Sequence, residues 1–251
     1  MVSLQEGYFG LELEIDMKLR IKFRKFGAVR FIGHLDVMRF FQKAIRRAGI
    51  DVRYTEGFSP HQVMTFAAPL GVGLESNGEY MDIEVLSMES TAQVKEALNH
   101  ASVPGIEVID VKILTDQAGN AMASVYSAEY TVRFRQGRKP AVDFARVVGE
   151  FLAREEILIS KVTKKGTREV NLKPGIHLLD WNSQEEKFHM ILDASSAGNI
   201  KPIQVIEAMI EPYGERLAEN ALQITREEVY TNIGTEERPV AVPLGEIGTD
   251  E

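Results

Sequence analysis

Strand-like and helix-like patterns alternate along this chain in an order that occurs twice. Residues 17–114 contain two helical patterns, near 35–48 and 91–100, among segments with the alternation of β-strands. Residues 125–230 show the same order of patterns. A strand–helix–strand–strand–helix–strand order is typical of the ferredoxin-like module, in which an antiparallel sheet carries two helices on one face. We therefore expect an α+β fold of two tandem ferredoxin-like (βαββαβ) modules.

Three further segments lie outside the two expected modules. Residues 1–16 resemble an appended leader, and residues 115–124, which contain Gly and Asn, are predicted to be a linker. Residues 231–251 are rich in Glu, Gly and Pro. This composition is typical of an acidic, disordered tail.

The complete absence of cysteine restricts the chemistry open to the chain. It excludes thiol nucleophiles, cysteine-type zinc sites and a cysteine-ligated iron–sulfur cluster, so any such cluster would belong to a partner. No apolar run approaches the roughly 20 residues that span a bilayer, and residues 1–16 lack the pattern of an export signal. We expect a cytoplasmic protein that binds no cofactor and does not enter a membrane.

Positive charge is concentrated in one segment of an acidic chain. The net charge is −8, yet residues 17–53 contain eleven Lys or Arg against two Asp, which leaves −17 for the remainder. Basic residues alternate with Leu19, Ile21 and Phe23 on a predicted strand and recur on one side of the following helix. We expect one basic face that continues from strand to helix and binds an anion; a merely solvated face is the alternative. Its predicted members are Lys18, Arg20, Lys22, Arg24, Arg39, Lys43, Arg46 and Arg47.

Other side chains extend the predicted anion-binding set. Around the first helix these are Arg30, His34, Tyr54, Phe58 and His61. In the second half, a basic hairpin around Gly166 is either a phosphate-binding arm or a solvated tip, and its basic residues are Lys164, Lys165, Arg168 and Lys173. Exposure of Phe31, Tyr54 and Phe58 beside the basic face would favour stacking on bases, whereas their burial would favour a protein partner.

Three polar residues are candidates for catalysis. His34 precedes the first helix, where an anion is favoured, although a capping role for a neutral His34 is the alternative. His61 follows a Gly-Phe-Ser-Pro turn. With Asp36, the two histidines could act as general acid and base in metal-independent RNA cleavage. Their spacing matches no metal-binding motif, so we predict no metal site.

Several motifs together resemble one bacterial family. They are Gly33-His34-Leu35-Asp36, Gly57-Phe58-Ser59-Pro60-His61, and Pro69-Leu70 with Glu79-Tyr80. Over residues 17 to about 230 the chain resembles the radical-SAM-linked protein family, a domain of unknown function encoded beside, or fused behind, a radical-SAM enzyme. The resemblance implies a radical-SAM partner that carries the iron–sulfur cluster and S-adenosylmethionine. It also implies an RNA or ribosome-related role, because genes of this family often lie near ribosomal-protein and ribonuclease genes.

The sequence leaves three functions open. The first is an accessory, non-catalytic module that binds RNA or a ribosome-related substrate for a separate radical-SAM enzyme. The second is an RNA-processing or modifying enzyme that uses His34 and His61. The third is a docking module whose basic face binds an acidic protein partner.

Overall fold

A computed structural model describes residues 17–115, 118–163 and 166–250. The predicted leader at residues 1–16 lies outside the described part of the chain. The first half contains β1 (Met17–Lys25), α1 (His34–Arg47), β2 (Met64–Phe66), β3 (Glu75–Val85), α2 (Thr91–His100) and β4 (Ile106–Leu114). A 3-10 turn at Gly27–Phe31 connects β1 to α1.

The second half has more strands than the first. It contains β5 (Ser127–Phe134), α3 (Phe144–Leu152), β6 (Leu158–Thr163), β7 (Gly166–Asn171), β8 (Ile176–Asn182), β9 (Lys187–Asp193), α4 (Pro202–Ile210), β10 (Leu222–Asn232) and β11 (Ala241–Pro243). The strands β6 and β7 form a separate two-stranded hairpin between α3 and β8.

Both halves contribute to one large sheet in the described residues. Its main order is β4-β1-β3-β10-β5-β9-β8, with β2 also paired to β3 and β11 to β10. Pairing is antiparallel within each half, and a short parallel contact between Ser76 and Arg226 joins β3 to β10. The expected α+β class and the antiparallel pairing are therefore confirmed, but the two halves share a single sheet.

Helix α1 covers one face of the first half. Leu19, Ile21 and Phe23 of β1 belong to the same buried cluster as Phe41 and Ile45 of α1. The helix begins after Gly33, carries Asp36 in its first turn and has two arginines in its last turn, which suits the helix dipole at both ends. Gly49 follows with φ of 68°, the left-handed conformation that ends many helices.

The C-terminal segment is ordered, contrary to the expected disordered tail. Val242 in β11 pairs with β10, and Leu244 in a 3-10 turn is fully buried. Ile113 and Thr249 exchange two backbone hydrogen bonds of 2.7 and 2.9 Å. The composition misled the prediction because a few well-placed apolar residues and backbone bonds are enough to hold a polar segment on the sheet.

Part of the predicted linker also packs against the sheet. Ala121 is fully buried, and its backbone N–H donates to Asp82 Oδ2 at 2.6 Å. The segment from residue 118 onward therefore contributes to the folded core and does not separate two independent domains.

Candidate functional site

Four basic residues of β1, Lys18, Arg20, Lys22 and Arg24, lie on the face of the sheet opposite α1. Because side chains alternate along a strand, burying Leu19, Ile21 and Phe23 beneath α1 directs the intervening cations to the other side. The prediction of one basic face continuing from strand to helix is therefore wrong. The two sets of cations lie on opposite faces of the sheet.

Arg20 is the most deeply buried of the strand cations. It is 1% exposed and forms a bidentate pair with Asp82, with Nε–Oδ1 and Nη2–Oδ2 distances of 2.9 and 3.0 Å. Its guanidinium also donates to the carbonyl oxygens of Gly119 and Leu244. Arg20 thus joins β1 to later segments, and its role in anion binding stays a prediction.

Neighbouring cations have carboxylate partners as well. Lys22 Nζ lies 2.6 Å from Glu228, Arg24 lies 3.2 Å from Glu107, and Arg30 lies 2.9 Å from Glu75. Lys18 is half-buried at the start of the strand. Most of the positive charge on β1 is therefore compensated within the protein.

Helix α1 presents a different arrangement. Arg39, Lys43 and Arg46 occupy positions i, i+4 and i+7, so they lie on one side of the helix, and all three are exposed. We call these three residues the cationic stripe. Its only carboxylate contact among the described residues is between Arg39 and the exposed Asp36, at 3.3 Å, and Arg46 donates to the Gln42 carbonyl of its own helix. An exposed pair of this kind contributes little energy, so the stripe keeps its charge available.

Arg47 points away from the cationic stripe. Its guanidinium donates to the carbonyl oxygen of Ala101 at 2.8 Å, just beyond the C-terminus of α2, and lies over the ring of Phe40. A cation at that end of α2 is favourable because the last carbonyls of a helix are unsatisfied. Arg47 therefore links α1 to α2.

A loop between α1 and β2 is tied at its base to α1. The backbone N–H of Thr55 donates to the carbonyl of His61 at 2.8 Å, which closes residues 54–61 into the segment that we call the aromatic loop. Gln62 Nε2 donates to the Gln42 carbonyl at 3.3 Å and so ties the base of this loop to α1. Tyr54 is 45% exposed and Phe58, at the tip, is fully exposed.

A second exposed apolar region lies at the start of α1. Phe31 is 61% exposed, and the Arg30 guanidinium lies 4.8 Å from its ring centre. The backbone N–H of Gly73 donates to the Arg30 carbonyl at 2.8 Å, which brings the exposed Val72 to the same end of the helix. Phe31, Tyr54 and Phe58 are thus all exposed. The link between these rings and base stacking also required a neighbouring basic face and stays a prediction.

His34 lies apart from this surface, beside a small internal cavity. The cavity has a volume of about 10 Å³, space for roughly one water molecule, and His34, Lys25 and Glu79 are among its lining residues. The His34 ring packs edge-on against Phe66 with centroids 5.2 Å apart. His34 is the first residue of α1 and Gly33 is the N-cap, so the predicted capping by the His34 side chain is not observed.

Lys25 is a buried amine at this cavity. Its Nζ donates to the carbonyl oxygens of Ile32 at 2.9 Å and Arg30 at 3.4 Å. Burial lowers the pKa of Lys25, and Arg226 lowers it further, while the carboxylate of Glu79 opposes both effects. Sequence reasoning missed Lys25, although the residue continues the inward alternation of Leu19, Ile21 and Phe23 that predicts its burial.

Glu79 and Arg226 form a buried ion pair across the join between the two halves. Arg226 Nε and Nη2 lie 2.8 and 2.6 Å from Glu79 Oε1, and Nη2 donates to the Ala68 carbonyl at 2.7 Å. Burial alone lowers the pKa of Arg226, but Glu79 and Tyr130 outweigh it and the net shift is upward. The pair joins β3 to β10 and holds the residues that lead into the 69–73 loop.

The three catalytic candidates have separate surroundings. Asp36 is exposed and pairs with Arg39, whereas His61 lies in the aromatic loop with Nδ1 3.1 Å from Thr55 Oγ1. Of the three, His34 alone lines the cavity beside Lys25. Within the described residues no group of three or more His, Asp or Glu side chains is arranged to hold a metal ion.

The predicted basic hairpin of the second half is only partly described. Arg168 lies exposed on β7, and Lys164 and Lys165 lie outside the described residues. Lys173 donates from Nζ to the Leu152 carbonyl at the end of α3. It therefore satisfies a helix C-terminus, and this bond does not support its predicted role in anion binding.

The fold and surface define a mixed α+β protein with a cationic helix beside an exposed aromatic loop. Residues 18–202 match the family described as an uncharacterized protein conserved in bacteria (DUF2344), and the chain belongs to this family. A search of curated proteins found no match. Among residues 17–115, 118–163 and 166–250, no helix combines the length and the apolarity needed to cross a membrane.

Proposed function

We propose that the protein is an accessory module that binds RNA through the cationic stripe of α1. The observation that carries this proposal is that the cations of β1 and α1 fall into two sets with different partners. Arg20, Lys22 and Arg24 of β1 pair with carboxylates of the protein. Arg39, Lys43 and Arg46 instead project into solvent on one side of a single helix. On a chain of net charge −8, such a stripe is a local site of attraction for a polyanion.

The helix gives the stripe a geometry suited to a phosphate backbone. Arg39 and Arg46 are seven residues apart, which corresponds to about 10 Å along the helix axis. Long, flexible cationic side chains at this spacing can contact successive backbone groups without reading base identity. This arrangement supports binding as the primary role and requires no catalytic residue.

The partner of the module is also a proposal. The motifs around Gly33-His34 and Gly57–His61 resemble the radical-SAM-linked family, so we infer that a cytoplasmic radical-SAM enzyme supplies the iron–sulfur cluster and S-adenosylmethionine. The present chain would present the RNA to that enzyme. We also infer that both halves are ferredoxin-like modules, since the strand order in each, β4-β1-β3-β2 and β10-β5-β9-β8, is the same fourth-first-third-second sequence.

The test is the salt dependence of RNA binding. The probe is a labelled RNA hairpin with single-stranded tails, titrated over a range of salt concentrations against the wild type and the Arg39→Ala/Lys43→Ala/Arg46→Ala variant. Three lost phosphate contacts should weaken binding at low salt and reduce the slope of log K against log salt by about 2. The control removes three exposed arginines elsewhere and should leave the slope unchanged: Arg138→Ala/Arg216→Ala/Arg238→Ala.

Three results would contradict the proposal. Equal losses in both variants would mean that net charge alone drives binding. RNA binding that is absent in the wild type, together with capture of an acidic protein that depends on the stripe, would favour the docking function. If the wild type cleaves or modifies RNA, and His34→Ala loses this activity but still binds RNA, the enzyme function is favoured.

A further inference from the structure

We propose that the ligand of this surface is single-stranded RNA whose unpaired bases stack on Tyr54 and Phe58. The inference rests on the proposed function, because the cationic stripe supplies the phosphate contacts. It goes further by assigning the aromatic loop as the element that selects single strands over duplexes.

Both rings of the aromatic loop lie at the protein surface. Val52 and Gln62 are buried at the base of the loop. Tyr54, by contrast, is half exposed, and Phe58 projects fully into solvent. Neither ring contributes to the buried clusters of the fold. Aromatic faces beside a positively charged track are the combination that single-strand-binding proteins use, because every base can stack on a ring.

The base of the aromatic loop is bonded to α1. The hydrogen bond from Gln62 to the Gln42 carbonyl fixes the loop base beside α1, one residue before Lys43. Gln62 Nε2 also lies 3.5 Å from the Tyr54 hydroxyl, which restrains the Tyr54 ring next to the helix. The loop base and the Tyr54 hydroxyl are therefore held at Gln42 of α1, and we assign phosphates to the helix side and bases to the loop side.

Cations combined with exposed rings favour single-stranded RNA over duplex RNA. In an RNA duplex the bases are stacked on one another and the strands present backbone and hydroxyl groups, so Tyr54 and Phe58 would find no free base face. A single strand can place bases on the rings while its phosphates contact Arg39, Lys43 and Arg46. The tip glycine, Gly57, has φ of 109°, which allows the sharp turn that projects Phe58.

The experiment compares single-stranded and duplex RNA of equal length and sequence. The wild type should bind the single strand more tightly, and Tyr54→Leu/Phe58→Leu should weaken that binding by roughly 5- to 150-fold per lost stacked base. Leucine keeps an apolar side chain at each position, so the loss reports the aromatic face. The matched control, Ile233→Ala/Val240→Ala, truncates two exposed apolar side chains outside this surface and should bind like the wild type.

The salt slope separates this inference from the proposed function. It should stay unchanged in the leucine variant, because the phosphate contacts remain. Equal binding of duplex and single strand, still dependent on the cationic stripe, would overturn the single-strand inference and leave the proposed function intact. Failure of the wild type to bind either RNA would overturn both.

Discussion

Replacing Glu79 with glutamine should destabilise the protein by about 3–5 kcal/mol. The carboxylate and its partner Arg226 are 6% and 3% exposed, so the substitution leaves a buried guanidinium without a counter-charge. It also removes the negative charge that faces the amine of Lys25. Against a total stability of about 5–15 kcal/mol, a loss of this size would shift the unfolding midpoint markedly.

Urea unfolding measures the change in the free energy of unfolding. The m-value should stay the same in the variant, because the folded state keeps its buried surface. The control is Glu107→Gln, which breaks the exposed pair with Arg24 and should cost less than about 1 kcal/mol. The reasoning is refuted if the two substitutions cost the same.

A double substitution separates the cost of an unpaired charge from the value of the pair. In Glu79→Gln/Arg226→Met the buried guanidinium is absent, so the double variant should be more stable than Glu79→Gln alone. A double variant that is less stable would mean that the hydrogen bond from Arg226 to the Ala68 carbonyl matters more than the charge.

Three further outcomes follow from contacts elsewhere. Asp82→Asn should cost about 3 kcal/mol in urea unfolding, because it breaks the pair with buried Arg20. RNA affinity should stay unchanged. Reduced affinity in a folded variant would mean that Arg20 contributes to RNA binding. Leu244→Ala should cost about 2–5 kcal/mol in the same assay, and a negligible cost would contradict a packed C-terminal segment. Burial and Glu228 raise the pKa of Tyr80, so its stabilising contribution is complete below about pH 10 and is lost as the pH rises above that value. Above about pH 10 the free energy of unfolding should therefore fall less steeply with pH in Tyr80→Phe than in the wild type, by at most about 1.4 kcal/mol per pH unit. Identical slopes would exclude Tyr80 as the cause.

Local patterns predicted the first helix well. The core stripe of α1 and the glycine that follows it led to a prediction of residues 35–48, and the helix spans His34–Arg47. Its exposed cations also followed from the helical period. These features are readable because each depends on residues within a few turns of one another.

The ion-pair partner of each cation could not be predicted from local patterns. Arg20 pairs with Asp82, 62 positions away, and Lys22 pairs with Glu228, 206 positions away. Such pairs depend on which strands become neighbours, and the composition of the chain does not reveal the strand order. The alternation of β1 continues to Lys25 and places it on the buried side, but the charges that act on its amine, Glu79 and Arg226, lie on other strands.

The join between β3 and β10 has a consequence for how the protein is made. Ser76 donates a hydrogen bond to the Arg226 carbonyl, 150 positions later in the chain. At about 5–20 residues per second, a ribosome needs roughly 8 to 30 s to synthesise that interval, and for this time part of one edge of β3 has no neighbour. An unpaired strand edge is a site of association with other chains. Synthesis rate and chaperone supply should therefore affect the soluble yield of this protein more strongly than they affect a protein whose neighbouring strands are made in immediate succession.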